Sequence, residues 1–314
     1  MRVNGILATS QDGFANWQAE IPLTPGENPL VVEAEDALSN NNPQAVTISV
    51  LSSGFLAGPI DVAVDDGFLY VLDEAQGAVL RIPETGGPAE VIFDNAAYAN
   101  DAELVYPNGL VVDRYNVYVL DYGLARILSF PKEGGPATVF FENGSYDDDT
   151  DLIQPFSITM DDEFFYVGDT GDFDNTSAAV LRIPTSGGPG GGARIITTEV
   201  LWPADLAVDS ENLYMLDMFA AAVIRFPKEG GLGTNVFHNG MYGDDAFLYF
   251  PRSLALDGDN LYLNDGGRLL RTRKEGHQPL ELISDSNTDD PNNPYGHFFT
   301  GMALAGDDLY LTVY

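Results

Sequence analysis

Cysteine is absent from all 314 residues, which excludes disulfides and thiolate-bound metals. Positive charge is scarce: 14 Lys and Arg stand against 48 Asp and Glu, a formal net charge of −34. Such a surface repels phosphate backbones, so nucleic acid is not an expected partner. It favours solubility and counter-cations instead. No run of 18 apolar residues occurs, so membrane insertion through a helix is not expected. Residues Met1–Gly13 lack a charged stretch followed by an apolar core and do not read as a signal peptide. They read as a start inside a domain of a longer native protein. There is no Walker A, dinucleotide-binding, H-E-x-x-H or G-x-S-x-G motif.

What is present is repetition. Pro59, Pro107, Pro155, Pro203 and Pro251 follow at steps of 48 residues, as do Tyr70, Tyr118, Tyr166, Tyr214, Tyr262 and Tyr310. Asp65, Asp113, Asp161, Asp209 and Asp257 keep the same register, and so do Asp73, Asp121, Asp169, Asp217 and Asp265. Each unit reads as four short strands, A to D: P-x-x-L-x-V-D, then L-Y-x-L-D, then a stretch such as VLRIP, a KEGG-type turn, and a stretch such as ATVFFENG. Four strands repeated at this period predict an all-β, six-bladed β-propeller over residues 51–314. Five units are full. A sixth holds only strands A (Gly301–Leu304) and B (Asp308–Val313), and an open ring would leave a bare sheet edge.

Residues 1–50 resemble the second half of bacterial immunoglobulin-like modules, of the kind found beside glucodextranase and in surface proteins. The likeness rests on Val3-Asn4-Gly5, Ile21-Pro22-Leu23, Gly26-Glu27-Asn28 and Val32–Asp36. Half a sandwich cannot bury its own core. This partial immunoglobulin-like segment is therefore expected to lean on the propeller, to complete blade six, or to form a homodimer contact. The hairpin Leu30–Ala34 with Val46–Val50 is the expected partner of Leu309–Val313. The resemblance, with zero cysteine, implies a bacterial protein that is secreted, periplasmic or on the cell surface.

The phrases PNGLVVD (107–113) and VYVLDYG (117–123) resemble two groups of propellers. One is the NHL-type repeats, mostly binding modules. The other is the gluconolactonase, senescence-marker and paraoxonase group, six-bladed calcium-dependent hydrolases, in which an Asn at the place of Asn108 ligates calcium. The acidic ligand expected in their first blade has no clear counterpart here.

Residues that recur in every blade read as structural, and chemistry is sought where the symmetry breaks. Two residues after the repeat Pro stand Asp61, Gly109, Ser157, Asp205, Ser253 and Gly301; one residue after it stand Ile60, Asn108, Phe156, Ala204, Arg252 and Thr300. Asp61, Asn108 and Asp205 offer hard oxygen ligands for a divalent cation, calcium above all. Tyr106, Gln154, Trp202 and Phe250, just before the Pro, would frame a small-molecule substrate. Arg252 would hold an anionic group or pair with Asp61 or Asp205. His297 is the best-placed histidine for proton transfer. DTGDFDNTS (169–177) is a weaker calcium candidate, and Asn-x-x-Tyr-x-x-Asp, which recurs three times, reads as a structural loop.

The expected function is a metal-dependent hydrolase of lactones, esters or phosphotriesters at the central channel. The alternative is a non-catalytic ligand- or protein-binding module of a large exported surface protein. A lyase like the streptogramin-opening propellers would need a histidine in the channel, and only His297 qualifies.

Overall fold

A computed structural model describes residues 56–96, 103–144, 151–172, 177–187, 193–241, 247–276, 280, 299–306 and 308–313, and the strand course at 2–3, 6–7, 26–35, 41–52 and 281–285. The chain divides into two compact units, Met1–Leu56 with Ile82–Glu90 and Ala57–Arg81 with Val91–Tyr314.

The N-terminal unit carries β1 (Arg2–Val3), β2 (Ile6–Leu7), β3 (Gly26–Glu35) and β4 (Asn41–Ser52), in the sheet order β2-β1-β3-β4. The expected hairpin is there, with Leu30 opposite Ile48 and Val32 opposite Val46. The side chains of these strands lie outside the described residues, and with them the immunoglobulin-like reading.

The strands that follow form five four-stranded sheets, each from consecutive strands. The first is β5 (Pro59–Asp65), β6 (Phe68–Asp73), β7 (Ala78–Pro83) and β8 (Glu90–Asp94). The second is β9 (Pro107–Val112), β10 (Asn116–Asp121), β11 (Arg126–Pro131) and β12 (Thr138–Glu142). The third is β13 (Pro155–Met160), β14 (Phe164–Asp169), β15 (Ala179–Pro184) and β16 (Arg194–Thr197). The fourth is β17 (Pro203–Val208), β18 (Asn212–Asp217), β19 (Ala222–Pro227) and β20 (Thr234–His238). The fifth is β21 (Pro251–Leu256), β22 (Asn260–Asp265), β23 (Arg268–Arg273) and β24 (Glu281–Asp285). A two-stranded sheet of β25 (Phe299–Ala305) and β26 (Asp308–Val313) comes last.

The first strands of these sheets touch in one circuit, β5 to β9, β13, β17, β21 and β25, and β25 returns to β5. This is a propeller. Among the described residues its complete blades number five, and two strands fill the remaining place where six blades were expected. Among the described residues β26 pairs with β25, while β3 and β4 pair with each other and β3 with β1.

The sequence columns acquire physical roles here. The repeat Pro opens the innermost strand of each of the five complete blades, where no ladder N–H is required. The column Asp65 to Asp257 ends the first strand and closes the tight turn to the second. In the second blade Asp113 Oδ1 accepts from the backbone N–H groups of Tyr115 and Asn116, both at 2.7 Å, and Tyr118 donates its hydroxyl to Asp113 Oδ2 at 2.9 Å. The five-residue Asp-to-Tyr spacing is that hydrogen bond. Burial, with the Asp113 carboxylate beside it, pushes the Tyr118 hydroxyl up to about 12.

The core lies between neighbouring sheets, as stacked blades require. Leu120, Ile127 and Phe141 of the second blade pack on Ile158, Phe165 and Val167 of the third. Second strands such as Leu213–Asp217 are buried throughout and read as unbroken apolar runs, because both of their faces are covered.

Candidate functional site

The loops that precede each innermost strand and those that follow each second strand form one face. Glu74, Gly123, Thr170, Met218 and Gly266 donate their N–H to the carbonyls of Gly58, Val105, Gln154, Trp202 and Phe250. Beneath this pairing sits the column Asp73 to Asp265, buried in every blade. Asp169 accepts from the N–H groups of Ile153, Gln154 and Gly171 at 2.7, 2.9 and 2.7 Å. Asp217 does the same for Leu201, Trp202, Phe219 and Ala220. This column organises the loops, as its recurrence suggests.

The innermost strands share a second device. Each register against the second strand shifts just after the repeat Pro, so that in the first blade Pro59 opposes Asp73 and Asp61 already opposes Leu72. Such a bulge re-aims the side chains around it. From this stretch a polar side chain reaches to the next strand of the ring. Asp61 Oδ2 accepts from the N–H of Leu110 at 2.8 Å. Asn108 Nδ2 donates to the carbonyl of Phe156 at 2.9 Å. Ser157 Oγ donates to the carbonyl of Pro203 at 2.9 Å. Asp205 Oδ2 accepts from the N–H of Leu254 at 2.7 Å. Asn264, from β22, donates to the carbonyl of Phe299 at 2.5 Å. Thr300 Oγ1 donates to the carbonyl of Pro59 at 2.9 Å and closes the circuit. Every junction between innermost strands thus carries a side-chain to backbone hydrogen bond.

This placement decides what Asp61, Asn108 and Asp205 do as described. The second oxygens of the two carboxylates are also engaged, by the N–H groups of Val62 at 2.9 Å and Leu206 at 2.8 Å. Burial raises Asp61 to about 7 against the pull of the N–H groups of Leu110 and Val62. Asp205 rises well above the usual carboxylate range, through burial first and then the charge of Asp61. The residue types suit a hard cation, and each of the four carboxylate oxygens accepts one backbone N–H. No group of three or more His, Cys, Asp and Glu side chains with metal-holding geometry forms among the described residues.

The remaining candidates part company. Arg252 is exposed and pairs with neither Asp61 nor Asp205, against the expectation of an inward base. Gln154 is half-buried, and its Oε1 accepts from Thr170 at 3.4 Å. Tyr106 and Phe250 stand exposed on the loop face at 68% and 55%. Trp202 packs against Phe156 at 5.4 Å and Phe219 at 5.0 Å between ring centroids, and its buried Nε1 finds no acceptor. His297 lies outside the described residues, as do Asp174 of the 169–177 loop and the Tyr and Asp positions of the Asn-x-x-Tyr-x-x-Asp motif. The Asn of that motif is structural: Asn95, Asn143 and Asn239 each bracket a loop by accepting from and donating to the backbone of Leu104, Leu152 and Leu248.

Sequence reasoning missed most of the loop face. Among the described residues, seven of the thirteen exposed large hydrophobic side chains lie on it: Tyr106, Leu124, Ile153, Leu201, Phe219, Tyr249 and Phe250. The opposite loops hold Tyr115 and Leu232. The available signal was large apolar residues in segments whose turn chemistry is otherwise polar.

No protein-family model matches the chain, and no curated protein matches it. A solved structure titled "Crystal structure of Nidogen/Laminin Complex" matches with a TM-score of 0.63 at 18% identity, over 82% of this chain and 88% of that one. The likeness is one of fold: the chain is a β-propeller. No helix among the described residues is long and apolar enough to cross a membrane.

Proposed function

We propose that this propeller is a non-catalytic binding module that takes a polypeptide ligand on its loop face. The observation that carries this is the concentration of exposed aromatic and aliphatic side chains there, with Tyr106, Tyr249 and Phe250 each more than half exposed. Aromatic anchors of this kind dominate protein recognition. The net charge of −34 favours a ligand that pairs apolar side chains with basic ones. A solved structure similar in fold is titled as a protein complex, which agrees with this reading.

The hydrolase reading asks for carboxylates that hold a cation at the channel. Asp61 and Asp205 each accept one N–H from the next residue of their own strand and one from the neighbouring innermost strand. That geometry supports the binding module over a metal-dependent hydrolase.

The test is a peptide-library selection on the whole chain, repeated on the double variant Tyr249→Ser, Phe250→Ser. Enriched peptides should carry aromatic and basic residues and bind at least tenfold more weakly to the variant. Peptides that bind both proteins equally, or turnover of lactones or phosphotriesters by the wild type with added calcium, overturn the proposal.

A further inference from the structure

The innermost strands of a propeller line its central channel. Asp61 and Asp205 stand on that channel in β5 and β17, and both are half-buried. Asp61 accepts the N–H groups of Leu110 and Val62, and Asp205 those of Leu254 and Leu206. A carboxylate has about four acceptor sites, so each acid keeps roughly half of its capacity. Among the described residues no cation pairs with either acid: Arg252 stands in solvent, and the charge felt by Asp205 is the like charge of Asp61. The side-chain donors of Asn108, Ser157 and Thr300 are spent on carbonyls.

A separate observation points the same way. Asn264 is 0% exposed and has its amide head in this ring, where Nδ2 donates to Ser253 Oγ at 3.2 Å and to the carbonyl of Phe299. Its Oδ1 has no partner. A buried acceptor left in that state is costly until a donor reaches it.

We propose that the channel mouth between Asp61 and Asp205 is a subsite for a lysine side chain of the polypeptide ligand, which rests on the loop face holding that ligand.

Reach, charge and donor geometry select lysine. The two acids stand two residues beyond the repeat Pro, about 7 Å from the loop-face end of their strands at roughly 3.3 Å per residue. A lysine stem spans about 6 Å. Tyr106, Trp202 and Phe250 stand immediately before the repeat Pro, so a peptide backbone held on these rings lies within that reach. An ammonium between the acids replaces the repulsion of two like charges with two attractions. Its three N–H groups radiate from one point, so that one serves each acid and the third can satisfy Asn264 Oδ1. Arginine fits less well. Its planar fork docks on both oxygens of one carboxylate, and here each of those oxygens already holds an N–H.

Two arms test this on the full chain. In the first, n-butylammonium is titrated in and followed by the amide resonances of Leu110 and Leu254, whose N–H groups the acids hold. Both should shift at millimolar concentration, and n-butanol should leave them in place. In the second, peptides selected on the loop face are remade with each Lys replaced by norleucine. One replacement should weaken binding at least tenfold to the wild type, but less than twofold to Asp61→Asn with Asp205→Asn. The first arm needs no variant and decides the matter even if that double variant fails to fold. No shift, or an equal shift with butanol, overturns the proposal. Calcium that moves the same amides at a hundredfold lower concentration makes the ring a metal site and overturns it too. Peptides that weaken on Tyr249→Ser with Phe250→Ser but tolerate the loss of every Lys overturn the lysine subsite alone. Peptides indifferent to that loop-face variant overturn the binding face itself.

Discussion

Asp61 and Asp205 occupy opposite positions of the innermost circuit, three junctions apart in either direction, and each grips the N–H of the residue 49 positions on, Leu110 and Leu254. The charge of one raises the proton affinity of the other. A pair of this kind has consequences that can be measured.

The first concerns pH. Burial sets Asp61 at about 7 in the native chain, against an ordinary value of 3.8. Between those values the native state holds a proton that the unfolded state has released. Stability from this group is therefore greatest at the acid end and declines as pH rises to about 7, by a few kcal/mol at most. Melting temperatures measured from pH 5 to pH 8 should fall for the wild type, by several degrees for a chain of this size. Asp61→Asn should show a shallower slope. Equal slopes in the two proteins would mean that Asp61 is ionised across the range.

Metal is the second test of the same residues. If Asp61, Asn108 and Asp205 act as inter-strand hydrogen-bonding groups, EDTA and millimolar calcium should move the melting temperature by no more than about 1 °C. A cation bound at a hundred times its dissociation constant would add about 2.7 kcal/mol, or roughly 5 °C here. A calcium shift of that size, abolished by Asp205→Asn, would restore the calcium site.

A third prediction comes from the outer ends of the blades. Lys132, Lys228 and Lys274 of the KEG turns reach back to Asp65, Asp161 and Asp209 of the preceding blade. Burial alone would raise Asp209, but Lys274 and the N–H groups of Glu211 and Asn212 lower it to about 2. In the third blade Thr185 stands where the lysine would be, so Asp113 lacks this partner. Lys274→Met should cost about 1–3 kcal/mol in urea unfolding, and Thr185→Lys should add about 0.5–1 kcal/mol. A Thr185→Lys chain no more stable than wild type would show that the Lys to Asp contact contributes little.

Tyr106 separates binding from stability. It is exposed, and its φ of +57° is the left-handed conformation that costs a non-glycine residue about 1 kcal/mol. Tyr106→Gly should hold or raise the melting temperature while weakening the peptides selected on the loop face several-fold. A loss of stability without a loss of binding would make Tyr106 a packing residue.

The repeat, its four strands and the structural character of the Tyr and buried Asp columns were legible because each recurs, and recurrence reports geometry that every blade needs. The inter-strand hydrogen bonds were not. Asp61, Asn108, Ser157, Asp205, Asn264 and Thr300 share neither a residue type nor a single register position, and their partners are backbone groups without a sequence signature. An acid that grips an N–H looks the same in sequence as an acid that awaits a cation. Asn264 was overlooked because it stands where β6, β10 and β18 place Leu72, Leu120 and Leu216. Arg252 was expected inward from its register, but the bulge that aims its neighbours leaves it in solvent.

The junction hydrogen bonds also bear on how blades fit together. Asp61 and Asp205 take an N–H from the following strand, whereas Asn108, Ser157, Asn264 and Thr300 donate to a carbonyl. Their partners are backbone groups that every innermost strand presents, so these bonds fasten a blade to its neighbour without choosing which blade that is. Steric fit is more selective, since a side chain at Gly301 would meet the Cα of Asp61 at 2.5 Å. Blade order is therefore left to the connectivity of the chain, and a seam is free to change residue type as long as one side chain still spans it.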